Sequence, residues 1–185
     1  MGMDSYIYKT TKKEYYAYTL WKENCDKNVT ELKEYEEAIK LKYGNDIFEK
    51  NVDEIIKIIT NDELIKIQTL IEATHKEYDI EGYRPRELCY WRKAYGIHRF
   101  ICRNFLEDGV NPNCIRIPLS KENIQSIINE MKRCKDNFGE MSDDCIFGSQ
   151  DYWDIDDLNR NISFFQNLHD NEFSDECVIY YYTWY

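Results

Sequence analysis

Five of the eight arginines in this sequence of 185 residues lie within one short stretch, residues 84–103. Three of them, Arg92, Arg99 and Arg103, recur at the spacing i, i+7 and i+11, which would place them on one face of a helix. A guanidinium group can hold a phosphate through two parallel hydrogen bonds. Together with Lys93, these residues predict a site for a phosphorylated anion.

Aromatic residues accompany the arginines. Trp91, Tyr95 and His98 recur at i, i+4 and i+7 and should form a neighbouring stripe. Rings beside guanidinium groups fit a nucleotide-like ligand, because a ring stacks on the base while the arginines hold the phosphate. Aromatic residues of the C-terminal segment could add stacking surface. The candidate ligand-binding residues are Trp91, Arg92, Lys93, Tyr95, His98, Arg99, Arg103, Tyr181 and Trp184.

An alternative interpretation of the same stretch stays open. The aromatic residues could belong to the hydrophobic core, as one side of an amphipathic helix ordinarily does. The arginines would then be solvated, or paired with carboxylates of the same chain. The choice between the two depends on whether the arginines border a concave surface.

His98 and Cys102 could instead serve a metal or a catalytic centre. They lie four residues apart, a spacing at which two helical side chains can share one metal ion, and a cysteine with a histidine can also form a nucleophile and its base. The chain has no CxxC or HxxxH motif and only three histidines. A hydrogen-bonded structural histidine is the favoured interpretation, so we expect no metal site and no catalytic residue here.

The acidic cluster of Asp151, Asp154, Asp156 and Asp157 could bind Mg²⁺ or Ca²⁺, but it lacks the central glycine and terminal glutamate of an EF-hand. Carboxylates at the start of a helix ordinarily complement its dipole. The sequence contains no phosphate-loop, dinucleotide-binding or nucleophile-elbow motif. It therefore predicts no cofactor and favours a binding protein over an enzyme.

The hydrophobic pattern predicts a single α+β domain, with a small antiparallel sheet, packed helices and a helical insertion. Strands are expected at residues 5–10, 14–21, 114–117, 145–149 and 177–185, with a hairpin loop at 11–13. Helices are expected at residues 30–43, 52–59, 64–73, 85–105 and 154–168, and one more begins after Ser120. Gly44 is positioned to end the first of them.

The overall charge limits the classes of partner. The chain has 35 acidic and 24 basic residues, for a net charge of -11. Such a surface repels nucleic acid and anionic membranes wherever no local patch reverses its sign. The stretch at 84–103 is one such reversal, whereas residues 140–176 hold eleven acidic residues against Arg160 alone.

The cysteines indicate a reducing environment. The seven cysteines form no CxxC pair, and the first residues lack the apolar core of a signal peptide. We therefore expect free thiols in a cytoplasmic protein.

Residues 90–100, which read Tyr-Trp-Arg-Lys-Ala-Tyr-Gly-Ile-His-Arg-Phe, resemble a family of small bacteriophage proteins. The hallmark of that family is a helix reading approximately Y-W-R-K-A-N-x-I-H-x-W-F. The likeness continues at Phe147-Gly148-Ser149 and in the C-terminal strand rich in Tyr and Trp, so that residues 25–75 look like an insertion. The chain departs from the motif at Tyr95-Gly96, where the family has Asn-Ala, and at Phe100-Ile101, where it has Trp-Phe.

The resemblance implies a viral protein in the host cytoplasm. With the arginine–aromatic stretch, it leads to the hypothesis of a non-enzymatic accessory protein, acting as a homo-oligomer, that counters host defence by sequestering a nucleotide-derived signal. Two alternatives stay open. The acidic segment 140–176 could imitate nucleic acid and inhibit a host defence protein. His98, together with the aspartates, could instead process a nucleotide.

Overall fold

The computed structural model describes residues 3–74, 85–137 and 154–185, and their elements make an α+β fold, as expected. The strands are β1 (Asp4–Thr11), β2 (Arg86–Arg92), β3 (Arg116–Pro118) and β4 (Cys177–Trp184). The helices are α1 (Lys12–Tyr43), α2 (Val52–Ile58), α3 (Asn61–Thr74), α4 (Tyr95–Phe105), α5 (Lys121–Asp136) and α6 (Ile155–Asn167). A 3₁₀ turn at Ile47–Glu49 precedes α2, and a π-helical turn at Leu168–Glu172 extends α6.

The strands form one antiparallel sheet in the order β2-β1-β4-β3. β1 and β4 pair along their whole length, from Asp4 opposite Trp184 to Thr11 opposite Cys177. Because side chains alternate along a strand, the sheet has two distinct faces. One face carries Ile7 opposite Tyr181, both fully buried. The other face carries the tyrosines Tyr6, Tyr8, Tyr90, Tyr180 and Tyr182.

Helices α4, α5 and α6 contribute to the hydrophobic core on the face of Ile7 and Tyr181. The buried cluster includes Ile7, Ile97, Ile101, Ile117, Ile124, Ile127, Met131, Leu158, Phe165, Ile179 and Tyr181. Removal of this apolar surface from water is the main favourable contribution to folding.

The internal contacts divide the chain into two compact units, Met1–Lys12 with Arg84–Tyr185, and Lys13–Tyr83. The first unit holds the sheet and the core just described. The described elements of the second unit are helical, and it has its own apolar cluster around Ile39, Ile47 and Ile59. The helical segment expected at residues 25–75 lies within this second unit.

Three of the predicted elements are wrong. The hairpin loop expected at 11–13 is replaced by the end of β1 at Thr11 and the start of α1 at Lys12. Residues 14–21, expected to be a strand, belong to α1, which runs unbroken for 32 residues. Their Tyr-rich composition favoured a strand, but the strand preference of aromatic residues depends on the surface they pack against. The single helix expected at 85–105 is a strand, a turn and a shorter helix, because β2 pairs with the distant β1. Gly96 consequently lies in the first turn of α4.

Several helix ends follow their sequence signals. Gly44 has a φ of 104° and donates its N–H to the last turn of α1, which ends there as expected. At the start of α5, Ser120 Oγ accepts the N–H of Asn123, and Asn123 Oδ1 accepts the N–H of Ser120. An equivalent capping box begins α6 at Asp154.

The strand expected at 145–149 lies outside the described residues, as do Arg84, Asp151 and the first part of the acidic segment, residues 140–153. Within the three described ranges, no helix combines the length and the apolar character needed to cross a lipid bilayer.

Candidate functional site

A sharp turn between β2 and α4 decides where the predicted site residues lie. Lys93 has a φ of 59°, in the left-handed region, and its N–H donates to the carbonyl of Met3 at 2.8 Å. Tyr95 N–H then donates to the Lys93 carbonyl at 2.9 Å, and the helix begins. The turn separates Trp91 and Arg92 from the residues of α4, so the predicted helical stripe that joined them is wrong.

Helix α4 is strongly amphipathic. Ile97 and Ile101 are buried against the sheet, whereas Arg99 and Arg103 are exposed one turn apart. Residues at this spacing have Cβ atoms roughly 5–6 Å apart on the helix surface. The two guanidinium groups can therefore reach the same anion.

Both arginines border a cavity of about 480 Å³ between α4 and the loop that follows it. The helix contributes Tyr95, His98, Arg99, Cys102 and Arg103, and the loop contributes Leu106, Glu107, Asp108, Gly109, Val110 and Pro112. Tyr95 and Val110 are 37% and 39% exposed, so part of their apolar surface is available to a ligand. Four of the nine predicted binding residues thus meet at one concave surface.

The loop turns back along the helix at Gly109. This glycine has a φ of 84°, a conformation that residues with a side chain rarely adopt, and Val110 N–H donates to the Glu107 carbonyl at 3.3 Å. The turn brings Glu107 and Asp108 to the same cavity as Arg99 and Arg103. Two basic and two acidic residues therefore line the cavity. Arg103, Glu107 and Asp108, all within the described part of the chain, form no ion pair with one another.

A buried hydrogen-bond chain lies beneath His98. Its Nδ1 is 3.1 Å from the hydroxyl of Tyr181, and that hydroxyl donates to Ser5 Oγ at 2.9 Å. Since the phenol has only one proton, it accepts from Nδ1–H, which leaves Nε2 as the unprotonated nitrogen. Burial lowers the pKa of His98 and raises the pKa of Tyr181, so both side chains are neutral near pH 7.

Cys102 is poorly placed as a nucleophile. Its Sγ lies 3.6 Å from Nδ1 and 3.7 Å from Nε2 of His98, so the thiol is not aligned with one nitrogen lone pair. Burial raises the pKa of Cys102 to about 11, which disfavours the reactive thiolate. Among the described residues no group of three His, Cys, Asp or Glu side chains could hold a metal ion.

Two predicted binding residues belong to the core. Trp91 donates its Nε1–H to Asn161 Oδ1 at 2.8 Å and stacks on Phe165, with ring centroids 5.8 Å apart. Tyr181 is fully buried. Trp91 therefore packs against the hydrophobic core, as the alternative interpretation of the sequence expects. A fully buried ring such as Tyr181 offers no face on which a base could stack.

Three other predicted residues lie away from the cavity. Lys93 occupies the turn, and Arg92 and Trp184 are both register partners of Asp4, on the tyrosine-rich face of the sheet. Arg92 is exposed, and Trp184 is 57% exposed. The sheet separates this pair from α4, because Ile7 and Tyr181 face the helix side.

Two other cavities lined by described residues contain no arginine. One of about 650 Å³ is lined by Lys27, Thr30, Glu31, Glu34, Tyr35, Ala38 and Lys66, and one of about 670 Å³ lies at the start of α5 beside Lys121 and Phe173. Although both are larger, their lysines provide point charges and not the forked donors that grip a phosphate. The cavity beside α4 is therefore the stronger candidate for an anion.

Three of the described acidic residues after 153 have structural roles. Asp154 caps α6, Asp157 forms an ion pair with Arg160, and Glu172 forms ion pairs with Lys9 and Arg86. Residues engaged in this way are less suited to imitate a row of phosphates. The cluster of aspartates near 154 is accordingly, in its described part, a helix cap.

Sequence reasoning missed the loop side of the cavity. Leu106, Glu107, Val110 and Pro112 line it, but nothing in their spacing relates them to the arginines. The sequence offers one signal for this loop, the pair Asp108-Gly109, because an Asp-Gly dipeptide is typical of a turn.

Comparison with protein-family models, curated proteins and solved structures finds no match to this chain.

Proposed function

We propose that this chain is a viral accessory protein that binds a nucleotide-derived signal without transforming it, in the cavity beside α4. The observation that carries the proposal is the meeting of Arg99, Arg103 and Tyr95 around one concave surface. Its volume of about 480 Å³ lies within the range of roughly 300–1,000 Å³ typical of small-molecule sites.

The two arginines supply the phosphate-binding function. They lie one helical turn apart on the exposed side of α4, and both line the cavity. Guanidinium groups form charge-assisted hydrogen bonds that are roughly twice as strong as neutral ones. A phosphate between them would accept hydrogen bonds from both guanidinium groups, whereas a single arginine on an open surface could bind it from one side only.

The other lining residues suit a base. Tyr95 offers a partly exposed ring, and Val110 and Pro112 offer apolar surface across the cavity. Stacking of a base on an aromatic side chain contributes about 1–3 kcal/mol in single-stranded nucleic-acid complexes. A ligand with both a phosphate and a flat ring would therefore use more of this cavity than inorganic phosphate does.

The chemistry of His98 and Cys102 favours binding over catalysis. The histidine is engaged with Tyr181, and the thiol is kept protonated by burial. Neither is set up as a nucleophile with an aligned base. The role against host defence rests on the likeness of residues 90–100 to the bacteriophage family and is proposed on that ground alone.

Thermal denaturation with a panel of linear and cyclic nucleotides tests the proposal. A ligand at one hundred times its Kd stabilises the folded state by about 2.7 kcal/mol, which gives a readily measured rise in melting temperature. We expect this rise with at least one nucleotide, and chromatography after incubation should recover that nucleotide unchanged.

The variants Arg99→Ala and Arg103→Ala should each remove most of the ligand-induced rise. Arg92→Ala is the matched control, because it removes the same charge from an exposed arginine on the other face of the sheet. It should keep the full rise. If Arg92→Ala alone loses the rise, the nucleotide binds on the other face of the sheet. If the nucleotide is recovered in hydrolysed form, the protein is an enzyme. Absence of any rise across the panel would contradict nucleotide binding.

A further inference from the structure

The cavity beside α4 contains acceptors as well as donors. Glu107 and Asp108 line it together with the arginines, and Arg103 forms no ion pair with either carboxylate in the described structure. A site for phosphate alone would gain nothing from two nearby carboxylates, because they repel the anion. Carboxylates at this place are suited to a ligand that carries N–H donors at some distance from its phosphate.

We infer that the base bound in this cavity is guanine, recognised through its paired N–H donors by Glu107 or Asp108. This inference rests on the proposed function, since it names the base of the nucleotide that the arginines would hold. It also makes the carboxylates specificity-determining residues.

The hydrogen-bond pattern of the bases supports this choice. An ionised carboxylate has only acceptors. Guanine presents an N1–H and a 2-amino group side by side, and the two oxygens of one carboxylate can accept both. Adenine and cytosine place an unprotonated ring nitrogen beside the amino group, so a lone pair would face the carboxylate. Uracil has one N–H between two carbonyl oxygens, which the carboxylate also repels.

His98 adds to the same pattern. Its Nδ1–H is used by Tyr181, so the ring contributes no second N–H donor to the cavity. The charged donors at the cavity are Arg99 and Arg103, which the phosphate requires. The charged acceptors are Glu107 and Asp108, and a base with two donors on one edge is complementary to a carboxylate.

Isothermal titration calorimetry with guanosine, inosine and adenosine 5′-monophosphates tests the inference on the full-length protein. Inosine monophosphate keeps N1–H but lacks the 2-amino group, so it isolates one of the two hydrogen bonds. We expect guanosine monophosphate to bind about tenfold or more tightly than adenosine monophosphate, with inosine monophosphate between them.

Two variants, Glu107→Gln and Asp108→Asn, identify the carboxylate. At least one of them should lower the affinity for guanosine monophosphate about tenfold, because an amide replaces an acceptor oxygen with an N–H₂ donor. The affinity for adenosine monophosphate should be unchanged or higher. Asp53→Asn, an exposed change in α2, controls for the loss of one negative charge.

The outcomes separate the two proposals. Equal binding of the three nucleotides, or a preference for adenosine monophosphate, would overturn the guanine inference and leave nucleotide binding intact. A guanine preference that survives both variants would overturn the assignment to these carboxylates. No heat with any of the three, together with no thermal stabilisation by the wider panel, would overturn both the inference and the proposed function.

Discussion

The arginines of the basic stretch differ in their surroundings. Arg99 and Arg103 border a concave surface, Arg86 is paired with Glu172, and Arg92 lies exposed at the end of β2. An ion pair on an open surface is weakened by water and salt, whereas several charged groups around one concave surface can act on the same ion. Residue type alone therefore does not single out the arginines proposed to bind an anion, whereas their environment does.

Lys93 is the strained residue of the strand-to-helix turn. Its φ of 59° is unfavourable for any residue with a Cβ, whereas glycine adopts it freely. We predict that Lys93→Gly raises the free energy of unfolding by about 0.5–1 kcal/mol, since relief of strain exceeds the entropy that glycine loses on folding. Lys93→Ala keeps the Cβ and should give no gain. Urea denaturation measures both, and equal effects of the two variants would show that backbone conformation is not the cause.

His98 makes stability depend on pH. Burial lowers its pKa in the folded state, so the unfolded chain takes up a proton first as the pH falls. Stability is therefore complete above the unfolded pKa of about 6.5 and decreases below it, by at most about 1.4 kcal/mol per pH unit.

The variant His98→Gln keeps an N–H donor near Tyr181 but does not titrate. We predict that its unfolding free energy, compared with that of the unaltered protein between pH 7.5 and 5, lacks this decrease. The other described histidine, His169, is present in both proteins and cancels in the comparison. Parallel pH profiles would contradict a buried, neutral His98.

At the scale of elements, helix α5 shows how a local signal fixes a boundary. Ser120 accepts the N–H of Asn123, while Ser126 donates to the carbonyl of Glu122 within the helix. We predict that Ser120→Ala costs about 1 kcal/mol of stability, because an N–H of the first turn loses its partner. Ser126→Ala, the same change in the same helix, should be neutral or slightly stabilising. Chemical denaturation of the pair tests the cap, and equal losses would refute it.

Local signals of this kind account for the elements that the sequence could predict. The strand β1, the aromatic strand β4, Gly44 at the end of α1 and the cap at Ser120 all carry their information within a few residues. The break at residues 93–94 carries none, because Lys93 adopts a conformation for which sequence analysis expects glycine. The strand β2 depends on its pairing with β1, which lies far from it in the sequence. The residues around β2 therefore carry no signal for this pairing.

The candidate site was predictable to the same extent. The spacing of Arg99 and Arg103 is helical in either interpretation, so this pair was identified correctly as sharing a face. Arg92 was assigned to that face, and Trp91 to the neighbouring stripe, only because the turn was missed. The carboxylates of Glu107 and Asp108 were not identified, because a loop has no periodicity from which its facing side can be inferred.

On the scale of the whole molecule, the net charge of -11 opposes the proposed function at long range. An anion approaching the protein is repelled on average, and only the local field of Arg99 and Arg103 attracts it. Salt screens both effects, over a Debye length of about 8 Å at physiological ionic strength. Affinity must therefore come from close contacts inside the cavity and not from general attraction.

The central claim is that a nucleotide binds beside α4, and NMR chemical-shift mapping with guanosine 5′-monophosphate tests it most directly. The account predicts that the amide shifts concentrate in Tyr95–Phe105 and in residues 106–112, and that the Arg103→Ala variant loses them. Shifts centred on Arg92 and Trp184, shifts confined to the unit Lys13–Tyr83, or no shifts at millimolar nucleotide would contradict it.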